Sequence, residues 1–135
     1  MKNFLTALVL TGFVFASGAF AAGADTKLTG LWVRGISSDH RYYLSFKDDG
    51  GYSYIQISGS TTTTVKGKYT TSDDRVYLTD LVDDMGRALK NQNVGYSYGT
   101  DGDGEYLSIA TVWFAVVGTD EEPEEGSPTQ FWRSK

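Results

Sequence analysis

The chain has 135 residues, with 12 Lys and Arg against 17 Asp and Glu, for a formal net charge of -5. That length is one domain, and an acidic balance without clustered Lys and Arg argues against nucleic acid as a partner. With no Cys and a single His, disulfides, thiolate metal sites, a cysteine nucleophile and multi-histidine metal centres are all excluded.

Residues 1–21 read as an export signal rather than as fold. Lys2 gives a positive start, residues 4–15 form an apolar run, and Ala19-Phe20-Ala21 is an A-x-A cleavage site, with Ala22-Gly23-Ala24 as a second. The run is shorter than the roughly 20 apolar residues that span a bilayer, which disfavours an uncleaved anchor. No Cys follows it to take a lipid. The expectation is a domain over residues 25–135, cut free after 21 or at 24. It would be periplasmic or secreted and not inserted in a membrane once the signal is gone.

Beyond the signal the chain alternates between apolar and polar positions, broken by turn residues. A first strand is expected over 28–36. In 41–47, Tyr42, Leu44 and Phe46 share one face. Asp48-Asp49-Gly50-Gly51 is a hairpin turn, since glycine supplies the positive φ such turns need, and 52–58 returns. In 61–71 the residues Val65, Gly67 and Tyr69 oppose Lys66 and Lys68. Strand 75–81 turns Val76 and Leu78 to one side. Residues 83–92 are the least strand-like, and Met85, Ala88 and Leu89 are spaced for one helical turn. Strand 93–99 aligns Val94, Tyr96 and Tyr98, and 105–110 returns from the Gly-rich turn after Asp101. The apolar stretch 112–117 continues that strand past a bulge. Residues 118–127 read as an acidic loop, and 129–134 closes the chain.

About eight strands with short links and no long helix predict an all-β, up-and-down antiparallel meander. Closure into a barrel removes the two bare edges such a sheet would leave. Eight strands enclose an interior that side chains fill, or that holds one small ligand. A membrane-spanning barrel needs a continuous apolar band facing outward, whereas the second faces here carry Ser, Thr, Lys and Gln.

Gly30-Leu31-Trp32 in the first strand, Phe46-Lys47-Asp48-Asp49-Gly50-Gly51-Tyr52, Gly67-Lys68-Tyr69 and the terminal Phe131-Trp132-Arg133 together resemble the small bacterial exported lipocalin-like (calycin) barrels. The chain is shorter than a typical lipocalin, with no long C-terminal helix and no Thr-Asp-Tyr motif. The resemblance implies that Gly30, Trp32 and Arg133 close the barrel. Arg133 on the last strand would pack over Trp32 on the first, a cation–π pair worth on the order of 1 kcal/mol.

Catalytic signals are thin. His40 is the lone histidine, in a short link, and no Gly-x-Ser-x-Gly elbow accompanies it. Asp101, Asp103 and Glu105 have oxygen ligands at alternate positions but lack the full calcium-loop pattern, and Asp and Gly are what a hairpin turn requires anyway. No enzyme activity, metal or cofactor is expected. The aromatic residues carry the positive signal: Tyr42, Tyr54, Tyr96, Tyr98, Trp113 and Phe114 are candidate walls of a cavity for a small hydrophobic or amphipathic ligand. Against this stands a core filled solid by the same rings. The alternative function is an envelope protein-interaction module, using the acidic loop 118–127 and the adjacent apolar 112–117.

Overall fold

The computed structural model describes residues 25–102 and 104–134, with the backbone alone at 111 and 112. The export segment expected at 1–21 lies outside the described residues. Eight antiparallel strands follow one another around a closed barrel: β1 (Gly30–Ser37), β2 (His40–Phe46), β3 (Gly51–Ser58), β4 (Thr61–Ser72), β5 (Arg75–Asp83), β6 (Gln92–Asp101), β7 (Gly104–Trp113) and β8 (Glu124–Arg133). Each strand pairs with its sequence neighbour, and β8 returns to β1 through Trp32↔Arg133 and Val33↔Trp132. Among the described residues no helix is long and apolar enough to cross a membrane.

The alternation read from the sequence is the alternation of the wall. Leu44 and Phe46 on β2, Val65 and Tyr69 on β4, Val76 and Leu78 on β5, and Val94 and Tyr96 on β6 are buried, while Lys66 and Lys68 face water. Gly50 takes φ 90° in the β2–β3 turn, where only glycine is unstrained.

Three register irregularities decide which side chains point inward. On β1 the shift falls between Gly35 and Ser37. On β4, Lys66 pairs with Val82 and Lys68 with Thr79. Gly67 therefore opposes both Asp80 and Leu81, a bulge on β5 at which Asp80 takes φ 53°. That extra residue swaps the faces, so Leu81 becomes core. The third shift falls between Ala110 and Val112, but the extra residue lies on β8, between Glu125 and Pro128, and not on β7 where the sequence suggested a bulge.

Two expectations are corrected. Residues 83–92 form no helical turn. Asp83 accepts from the amides of Met85 and Arg87 through Oδ1, at 3.0 and 2.9 Å. Its carbonyl accepts from Gly86, whose φ is 80°. This folds a tight turn that runs back along β5 through the Val82↔Ala88 bridge. The acidic stretch is not wholly a loop either, because β8 begins at Glu124. The strand before it ends at Trp113, leaving one bridge, Leu89↔Val116, beyond.

Candidate functional site

The two ends of the barrel are built differently. One gathers the largest side chains: Trp32, Phe46 and Tyr69 are fully buried, with Phe46 and Tyr69 edge to face at 5.0 Å. Arg133 lies 4.1 Å over the Trp32 ring. Its guanidinium also donates to Glu105 Oε1 (2.6 Å), Thr29 O (2.9 Å) and Lys27 O (2.6 Å). Gly30 is required here, since a Cβ would sit 2.8 Å from Arg133 Nη1 and φ is 133°. The closure expected of Gly30, Trp32 and Arg133 is thus a single packed unit that also pins the segment entering β1.

Asp25 completes this end. Its Oδ2 accepts from the hydroxyls of Tyr96 (2.8 Å) and Tyr98 (2.9 Å), and its Oδ1 from the Lys27 amide (2.9 Å). Burial raises the carboxyl pKa, but the two hydroxyls, the amide and the Lys27 charge outweigh it, and the net shift is downward. Burial together with the Asp25 carboxylate pushes Tyr96 up to about 12 and Tyr98 higher still.

The opposite end is hollow. A cavity of about 280 Å³ opens there, floored by Leu78, Val94 and Ile109 and walled by Tyr42, Tyr54 and Phe114. The rings form a continuous surface, with Tyr42 and Tyr54 at 6.4 Å between centroids and Tyr54 and Phe114 at 5.3 Å. Polar groups stand at the rim: Tyr42 Oη lies 2.9 Å from His40 Nε2, and Tyr54 Oη donates to Gln56 Oε1 at 3.1 Å. Burial, with Tyr42 adding to it, pushes the Tyr54 hydroxyl up to about 12. An apolar chamber with a few polar groups at its mouth suits a small hydrophobic or amphipathic molecule.

Of the six aromatic residues expected in a cavity wall, the structure places Tyr42, Tyr54 and Phe114 there. Tyr96 and Tyr98 sit at the closed end, committed to Asp25. Trp113, the last residue of β7, is outside and 76% exposed, while Phe114 just beyond the strand lines the cavity. Sequence reasoning missed Arg34, Ile36 and Tyr52 on the lining. The signal was present, since Arg34 and Ile36 share the parity of Trp32 on β1 and Tyr52 that of Tyr54 on β3.

The remaining candidates are accounted for by contacts. Asp39 is bonded to Ser37 Oγ at 2.8 Å. His40 sits at the end of the barrel opposite Asp25, so these two do not form an acid–base pair. In the acidic stretch, Glu122 meets Lys90 Nζ at 2.9 Å, and Lys90 also donates to the carbonyls of Thr119 and Glu121. Glu125 pairs with Arg75 at 3.0 Å and accepts from the Gly95 amide. No group of three or more His, Cys, Asp or Glu placed to hold a metal occurs among the described residues.

Comparison with protein-family models, with curated proteins and with solved structures returns no significant match.

Proposed function

We propose that the protein is a non-catalytic, exported binding protein of lipocalin-like (calycin) kind, which takes a small hydrophobic or amphipathic ligand into the open end of its barrel. The observation that carries this reading is the 280 Å³ aromatic-walled cavity. A roughly 150 Å³ apolar cavity is enough for benzene, so this one suits a molecule of about ten non-hydrogen atoms. The Gly30, Trp32 and Arg133 unit supports the kinship, and the apolar start of the chain supports export.

Calorimetric titration with 1-octanol tests the reading. The protein is expected to take up one equivalent saturably. Thr129→Trp, at a half-buried lining position, is expected to weaken uptake at least tenfold with the fold intact by circular dichroism. No saturable uptake by the parent protein would overturn the reading.

One observation favours a second reading, a protein-contact surface. Trp113 stands exposed beside Glu121, Glu122 and Glu124 in a shallow surface cleft, and large exposed apolar side chains next to charge are common in interfaces. Trp113→Ala separates the two, leaving octanol uptake unchanged under the first reading and removing the contact under the second.

A further inference from the structure

The cavity is lined by one charged side chain, Arg34, and its situation differs from that of the arginines built into the scaffold. Arg75, Arg87 and Arg133 each meet a carboxylate, at 3.0, 2.8 and 2.6 Å respectively. Among the described residues Arg34 meets none. Its one hydrogen bond is a long one, from Nη1 to the Gln130 carbonyl at 3.3 Å. The side chain is half-buried and lines a chamber whose other walls are mostly apolar. Its guanidinium end is exposed at the mouth, where it is open to an incoming anion.

The barrel fixes where that charge sits. Arg34 and Tyr42 are direct partners across β1 and β2, so their side chains emerge side by side on the cavity face. With His40 Nε2 protonated, the imidazole donates to Tyr42 Oη and leaves the phenol hydrogen free to point elsewhere. Two donors then flank the mouth, a planar guanidinium and a phenol, above an apolar floor. No carboxylate of the acidic segment pairs with Arg34 among the described residues, and two of them, Glu122 and Glu125, are held by Lys90 and Arg75.

Resting on the binding reading above, we propose that the ligand is a small amphipathic monocarboxylate, its tail on Leu78, Val94 and Ile109 and its carboxylate paired with Arg34 at the rim. Guanidinium matches a carboxylate in a bidentate, charge-assisted geometry that no neutral headgroup reproduces. The cavity volume suits a chain of about eight carbons.

A headgroup series on one tail tests this. At pH 7 the protein is titrated with octanoate, 1-octanol and octylamine, and octanoate is expected to bind about tenfold more tightly than octanol, with octylamine weakest. Arg34→Met, which keeps an unbranched apolar stem and removes the guanidinium, is expected to bring octanoate and octanol within about twofold of each other, while Arg34→Lys retains part of the preference. Equal binding of octanoate and octanol by the parent protein overturns the carboxylate assignment and leaves the cavity reading standing. So does an undiminished preference in a folded Arg34→Met. Uptake of none of the three overturns both. The headgroup order on the parent protein decides the matter even if Arg34→Met fails to fold.

Discussion

At the scale of single residues, the closed end is a set of mutual dependencies. Arg133 covers the Trp32 ring, pairs with Glu105 and holds two carbonyls of the entering segment. It does so through space that exists only because Gly30 lacks a Cβ. Removing the guanidinium with Arg133→Met leaves those acceptors unpaired, at a cost of roughly 2–3 kcal/mol. Gly30→Ala incurs two separate penalties, a steric one against Nη1 and a backbone one from its φ of 133°, together about 1–3 kcal/mol. The two substitutions are therefore expected to combine less than additively, because the steric part vanishes once the guanidinium is gone. Urea unfolding of both single variants and the double variant measures this coupling. Strict additivity would mean that Gly30 and Arg133 do not share the space described.

At the scale of elements, what the sequence disclosed and what it hid follow from one geometric fact. Where a strand keeps strict alternation, its faces can be counted off, as on β2, β4 and β6, and the Gly-rich turns mark its ends. A bulge moves every later residue to the other face, and its position depends on the partner strand. So Leu81 could not be foreseen as core from Val76 and Leu78; at the end of β7 the alternation stops as well, and Trp113 is exposed while Phe114 just beyond the strand lines the cavity. Contacts across great sequence distance were equally hidden, Asp25 with Tyr96 and Tyr98 and Lys90 with the acidic segment among them. Two of the six candidate wall residues, Tyr42 and Tyr54, were legible for the same reason: β2 and β3 carry no extra residue. The β5 bulge has a direct test at Gly67, where a Cβ would meet the Thr79 carbonyl at 2.6 Å and Leu81 Cδ2 at 2.7 Å. Gly67→Ala is expected to cost about 1–3 kcal/mol. The control Gly102→Ala, with nothing within 4 Å, should stay within about 0.5 kcal/mol of the parent. Equal urea midpoints for the two variants would argue that β5 carries no bulge against Gly67.

At the scale of the whole molecule, the barrel joins a solid, polar-latched end to a hollow one, and titration couples the latch to global stability. Five of the nine tyrosines have their hydroxyls pushed upward, in each case with burial as the largest cause. A folded pKa of about 12 for Tyr54 and Tyr96 against an unfolded value near 10 means that the native state prefers the neutral phenol. The resulting stability is fully present below about pH 10 and is lost as pH rises through about 12. Asp25 has the opposite sign. Its lowered pKa contributes stability above an unfolded value of about 4, lost as pH falls through the folded one. The melting temperature should therefore hold a plateau between these limits and fall at both. Absorbance at 295 nm should rise in two stages on alkaline titration, the later one accompanied by loss of the β circular-dichroism signal. Nine tyrosines ionising together near pH 10 with the fold intact would contradict the buried arrangement. Asp25→Asn provides the internal check: it removes the carboxylate that helps hold Tyr96 and Tyr98 neutral, so it should lower the plateau and erase the acid limb due to Asp25. It should also make the alkaline fall shallower, because less of the tyrosine shift remains to be lost.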